Sequence, residues 1–272
     1  MNSRLDSALY DIHYIDALAS RNQWMNQKHP LVKFIITILY ITLTVSFPKY
    51  ELSGLAGMAV YPIAGFLLAD LSVFDCLKRM RMVLPLILLV GIMNPFLDRS
   101  MLQFGVFAVR GGVISMVTLI MKGIFTLLAA WLLAATTPIE KLCYALEMLH
   151  VPEILISQFL LMYRYLFMLL AEAGRISQAY SLRAPGQTGL HFKVWGPLTG
   201  RMLLRSIDRA QQVYESMLLR GFSGSFSWLG TREKLKGSDL AWLVFWIVVL
   251  LLFRLFPVIM ILGNLLRGGF RI

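Results

Sequence analysis

The stretch ILISQFLLMYRYLFMLLA, residues 154–171, decides how the rest of the chain is read. It approaches the ~20 apolar residues that carry a helix across a bilayer. Gln158 and Arg164 near its middle argue against a crossing, because an arginine at the bilayer centre costs at least about 2.5 kcal/mol. The charge that follows is the stronger objection. Between positions 172 and 237 ten basic residues (Arg175, Arg183, Lys193, Arg201, Arg205, Arg209, Arg220, Arg232, Lys234 and Lys236) stand against Glu172, Asp208, Glu215 and Glu233, an excess of six positive charges. Such an excess marks a cytoplasmic loop, and a crossing at 154–171 would place it outside. Residues 154–171 are therefore expected to form a helix beneath the membrane, buried by other helices.

Outward from that stretch the chain is apolar. Of its residues 58% are hydrophobic and 15% charged, against about 25% charged in soluble domains. Five spans follow, over 31–47, 52–69, 83–97, 113–135 and 240–262. Residues 1–30 hold Arg4, Asp6, Asp11, Asp16, Arg21 and Lys28 without an apolar run, so the amino terminus is expected to remain cytoplasmic. The turn 48–51 then lies outside, the loop with Lys78, Arg79 and Arg81 inside, and the loop 98–112 outside. Pro62 and Asn94-Pro95 read as packing kinks in the spans, and Trp242 and Trp246 suit the inner interface. Lys122 and Arg254 fall within spans, where they snorkel or face a protein groove. Arg267 and Arg271 lie on the expected outer side, against the charge rule.

Several chemistries find no support. Cys76 and Cys143 form no CxxC pair and are expected as reduced thiols in inner loops. His13, His29, His150 and His191 show no ligand spacing and read as solvated or interfacial side chains. The fifteen methionines read as adaptable packing rather than a metal path. No GxxxxGK[ST] loop for nucleotide phosphates is present. Asp70 and Asp75 flank an inner loop and would be the carboxylates of a membrane-embedded enzyme, but they read better as residues of that turn. No catalytic, cofactor-binding or metal-ligating set emerges, and the basic excess reports topology rather than nucleic acid.

Three helices are expected between Pro138 and Gly221. The first covers 138–150, with Thr137 as N-cap and Pro138 at the first helical position. The second runs from 152 to 183. The third starts at Gly196-Pro197 and ends at Arg220, with an apolar stripe through Leu198, Met202, Ile207, Val213 and Met217 that repeats at the helical period. These helices are longer than connectors need. Both long ones end on an arginine, Arg183 before Ala184-Pro185-Gly186 and Arg220 before Gly221. A guanidinium fork suits partner carboxylates.

Here the sequence resembles the transmembrane (T) component of energy-coupling-factor ABC transporters, in its cobalt-type (CbiQ/EcfT) branch. The resemblance is carried by Ile15-Asp16-x-x-Ala19, His29-Pro30-x-x-Lys33, Pro152 ahead of Arg164-Tyr165 and Glu172, and Arg205-Ser206-x-x-Arg209-Ala210-x-x-Val213-Tyr214-x-x-Met217-x-x-Arg220-Gly221-Phe222. The family's two Ala-Arg-Gly motifs correspond here to Leu182-Arg183-Ala184 and Leu219-Arg220-Gly221, with leucine in place of the leading small residue in both and alanine in place of glycine in the first. The resemblance implies that each tip docks on one of two ATPase subunits (CbiO-like), supported by Arg164, Glu172, Arg205 and Arg209. It also implies a substrate-binding membrane subunit (CbiM-like) and a small CbiN-like subunit.

The expected protein is thus all-α and integral to the inner membrane, with about five transmembrane helices and a cytoplasmic three-helix coupling segment. Its regions are 1–30 (cytoplasmic), 31–135 (four spans), 136–238 (coupling helices) and 239–272 (last span and tail). Its expected role is the non-catalytic coupling subunit of an ATP-driven cobalt importer, with nickel or a vitamin as alternative cargo and a membrane-embedded enzyme as the alternative class.

Overall fold

The computed structural model describes residues 10, 13–97, 101–104, 107–183, 192–223 and 235–256. In chain order the elements are α1 (Pro30–Val45), α2 (Leu52–Gly57), α3 (Val60–Leu68), α4 (Val73–Arg79), a 3-10 turn (Met80–Met82), α5 (Leu84–Leu97), β1 (Met101–Phe104), β2 (Phe107–Arg110), α6 (Gly111–Thr136), α7 (Ile139–Met148), α8 (Glu153–Arg183), α9 (Phe192–Leu219) and α10 (Gly237–Leu255). Residues 13–19 are also helical. The chain divides into two compact units, Ala19–Thr137 with Glu233–Ile272, and Met1–Leu18 with Pro138–Arg232.

The first unit is built around α1, which packs against both α6 and α10, while α5 lies along α6. Its core holds Ile36, Tyr40, Leu55, Met58, Tyr61, Leu132, Trp246 and Leu250. The Tyr40 hydroxyl donates to the Met58 carbonyl at 3.0 Å, and the Tyr61 ring meets Trp246 edge-on at 5.0 Å. Gly65 brings α3 close to α6, where a Cβ would lie 2.2 Å from Leu132 Cδ2.

The spans differ from the reading in length and continuity. Among the described helices, α6, α8 and α10 are long and apolar enough to cross a membrane, and α1 and α5 are shorter. The expected second span is broken at residues 58–59, ahead of Pro62, and turns by 104° into α4. Pro62 sits in the first turn of α3, where a proline costs no hydrogen bond. Asp70, at φ 47°, takes the left-handed position that ends α3, and Ser72 caps α4 by accepting from the Asp75 N–H at 3.3 Å. The expected outer loop contains an antiparallel hairpin pairing Met101 with Arg110.

Other local expectations are also corrected. Cys76 and Cys143 sit buried in α4 and α7 rather than in loops. Burial, and after it the Glu140 carboxylate, push the Cys143 thiol above its ordinary range. His29 is buried, and its Nδ1 accepts the Leu31 N–H at 3.2 Å as the N-cap of α1. Trp246 is an interior residue, in an aromatic cluster where Trp242 meets both Trp246 and Trp24 edge-on. Thr137 does not cap α7: Pro138 holds the cap position, and the buried Thr137 hydroxyl has no hydrogen-bond partner among the described residues. His191, Arg267 and Arg271 lie outside the described residues.

Three cations of this unit close helix ends. Lys33, buried on α1, donates to the Thr136 carbonyl at the end of α6 at 2.7 Å. Lys122 on α6 donates to the Val45 carbonyl at 2.9 Å and to the Phe47 carbonyl, at the end of α1. Arg254 on α10 reaches the Ser46 carbonyl at 3.3 Å and lies over the Phe47 ring at 4.5 Å. A cation at the carboxyl end of a helix satisfies orphan carbonyls and opposes the helix dipole, which accounts for two charges inside apolar spans. Lys28 and Asp239 form a largely buried ion pair at 3.4 Å.

Candidate coupling site

The second unit is dominated by α8 and α9, of 31 and 28 residues, or roughly 46 and 42 Å of helix. α9 begins four residues earlier than Gly196, with Pro197 inside it; so near a helix start, the carbonyl that proline leaves unbonded lies in the first turn. The amino-terminal residues join this unit, with the His13 ring stacked on Phe167 at 4.7 Å.

The expectation that 154–171 is buried by other helices is not met. Only Ile156 and Ser157 of that stretch are buried, and Ile154, Phe159 and Met162 are more than half exposed. The stripe of α9 is likewise incompletely covered, with Ile207 46% exposed and Leu198, Met202, Val213 and Met217 partly exposed. The two helices touch only over a short stretch. On one side of it they line an apolar groove of about 680 Å³, in which Ile154 and Leu161 of α8 face Val213 and Met217 of α9, with Phe222 just beyond. On the other side Arg175 and Arg183 of α8 face Leu198 and Arg201 of α9. The start of α8 thus lies beside the end of α9 and the reverse, so the helices cross as antiparallel struts.

That arrangement sends the two arginine tips in opposite directions. Arg183 is the last residue of α8 and exposed, beside Leu182 at 79% exposure; Ala184 lies outside the described residues. Leu219, 90% exposed, is the last residue of α9, and Arg220 follows in the turn. Gly221, at φ +83°, closes it: its N–H donates to the Leu218 carbonyl at 2.9 Å and the Phe222 N–H to the Met217 carbonyl at 3.0 Å. This pair of bonds terminates a helix at a left-handed glycine, and it holds Arg220 at a defined end. Measured along the helices through the crossing, the path from one tip to the other is roughly 38 Å.

Of the expected supporting residues, Glu172 and Arg205 are brought together and two are not part of the contact. The Glu172 carboxylate pairs with Arg205 across the crossing and accepts from Arg175 on its own helix at 2.6 and 3.0 Å. Arg209 lines the border between the apolar groove and the polar cleft beside it. Arg164 is exposed and, among the described residues, makes no hydrogen bond or ion pair. Arg175 is the residue that sequence reasoning left out of the site, although its i, i+3 spacing from Glu172 announces the pair. The stacking of His13 on Phe167 carried no sequence signal.

Apolar helices together with an exposed pair of struts that carry cationic tips define a helical membrane protein. Comparison with known proteins narrows this. A family model described as CbiQ, cobalt transport protein, matches residues 21–228, and the chain belongs to that family. It is similar to the cobalt transport protein CbiQ of Salmonella typhimurium, 25% identical over 78% of this chain and 98% of that protein. An uncharacterised protein of Methanocaldococcus jannaschii is 31% identical over 47% of this chain and 44% of its own length. The nickel permease LarQ of Lactiplantibacillus plantarum is 33% identical over 34% of this chain and 33% of its own. The chain thus spans under half the length of the two more identical relatives. It is a helical membrane component of a transport-protein family.

Proposed function

We propose that the chain is the coupling (T) subunit of an energy-coupling-factor importer for cobalt, with Leu182-Arg183-Ala184 and Leu219-Arg220-Gly221 docking one ATPase subunit each. The observation that carries this is the opposed pair of exposed arginines, each at the carboxyl end of a long helix. One partner subunit per tip is the arrangement such separation serves. Surface arginines at helix ends also oppose the helix dipole, but that role does not call for two struts of this length. The remaining partners are a CbiM-like substrate-binding membrane subunit and a small CbiN-like one. ATP closes the ATPase pair, the struts move with it, and the movement passes to the subunit that carries the metal.

In this reading residues 136–238 lie in the cytoplasm of a multi-pass inner-membrane protein whose amino terminus is also inside. α8 passes the length and composition test for a span, yet Arg164 and the basic excess after it favour placement beneath the bilayer. The exposed apolar faces of α8 and α9 are then covered by partner subunits or lipid. Cobalt is favoured by the likeness that covers most of the chain, and nickel by the LarQ likeness. Measuring both metals in cells expressing the whole transporter decides between them.

The deciding experiment is co-purification of the ATPases with Arg183→Glu/Arg220→Glu. Loss of the ATPases with membrane insertion intact supports the reading, and undiminished capture refutes it. A membrane-impermeant label reaching a cysteine at Lys234 only from outside the cell would refute the placement.

A further inference from the structure

The two struts have little to hold their angle. They touch briefly, an apolar groove opens on one side, and a cleft with Arg175, Arg183, Arg201 and Arg205 opens on the other. Where they meet, the Glu172–Arg205 pair is the one ion pair between α8 and α9 among the described residues. The Glu172 side chain is 16% exposed, against 68% for Arg175 and 57% for Arg205. A single sheltered carboxylate therefore faces two guanidiniums, one on each strut.

Charge-assisted hydrogen bonds to a carboxylate are shorter and stronger than neutral ones, and Arg175 holds the carboxylate from its own helix. We propose that Glu172 is a positioning residue, a pin that fixes the crossing angle of α8 and α9 and thereby the separation of the Arg183 and Arg220 tips. Its place near the junction of two levers gives it leverage: a small rotation there displaces tips that lie about 16 and 22 Å along their helices from it. The proposal rests on the coupling function above for its consequence and on the crossing alone for its geometry.

The experiment uses the full chain with spin labels at Ser181→Cys and Ser216→Cys, exposed positions behind each tip, the native Cys76 and Cys143 being buried. Glu172→Gln is expected to broaden the label–label distance distribution about twofold, and the exchange Glu172→Arg/Arg205→Glu to narrow it again. In the assembled transporter, Glu172→Gln is expected to lower cobalt accumulated per ATP hydrolysed severalfold without loss of ATPase co-purification, and the exchange to recover it. An unchanged distribution in Glu172→Gln, or an exchange variant that keeps its helix content but recovers neither quantity, overturns the proposal. ATPases that fail to bind the unmodified chain would refute the coupling function instead, while the distance measurement still reads the pin.

Discussion

In the unit built from residues 19–137 and 233–272, three helix cations reach the ends of neighbouring helices, whereas in the unit built from 138–232 two arginines stand exposed at the ends of their own. Lys33 and Arg220 both stand by the end of a helix. Lys33 is buried and donates across to the end of a neighbouring helix. Arg220 is exposed at the end of its own helix and, among the described residues, its side chain makes no hydrogen bond or ion pair. Lys122 and Arg254 follow Lys33, and Arg183 follows Arg220. The same interaction of a cation with a helix terminus serves internal closure in one unit and, in the proposed function, presentation to a partner in the other. Charge type does not distinguish the two uses. Burial does.

Four variants would break or sharpen that contrast. The largest effect is expected from Arg183→Glu/Arg220→Glu, which should reduce ATPase capture more than tenfold with no change in melting temperature. Lys33→Met comes next. It leaves the buried Thr136 carbonyl without this donor, a loss of about 1–3 kcal/mol, so melting in detergent should fall by several degrees while capture per folded molecule holds. Weakened capture at an unchanged melting temperature would erase the contrast. Gly221→Ala strains a left-handed position by about 1–2 kcal/mol. It should fray the end of α9 and weaken ATPase capture modestly, read as a severalfold rise in dissociation constant. The smallest effect is Asn94→Leu, which removes the Asn94–Ser115 bond of 2.9 Å between α5 and α6. Hydrogen bonds between helices in membranes average about 0.6 kcal/mol, so only a small melting shift and unaltered capture are expected.

Much of the architecture was legible beforehand. Hydropathy marked the helical membrane character, and helical periodicity with Pro152 and Gly221 marked the two long struts to within a few residues. Both signals are local, since they depend on which residues recur every few positions and on what a proline or glycine backbone permits. The start of α9 was missed because proline near a helix start is tolerated, and the break at residues 58–59 because Gly57 and Pro62, which flank it, lie inside one continuous apolar run and were read as part of a single span.

By itself the sequence determined the apolar class, the long helices and their arginine ends. Only the tertiary structure decided that Lys122 and Arg254 close the end of α1, that His29 is a buried cap, that the apolar face of α8 stays open, and that Glu172 meets Arg205. The reason is physical: a side chain's role depends on what lies within about 4 Å of it, and those neighbours come from positions as far apart as Ser46 and Arg254, which no local period can register.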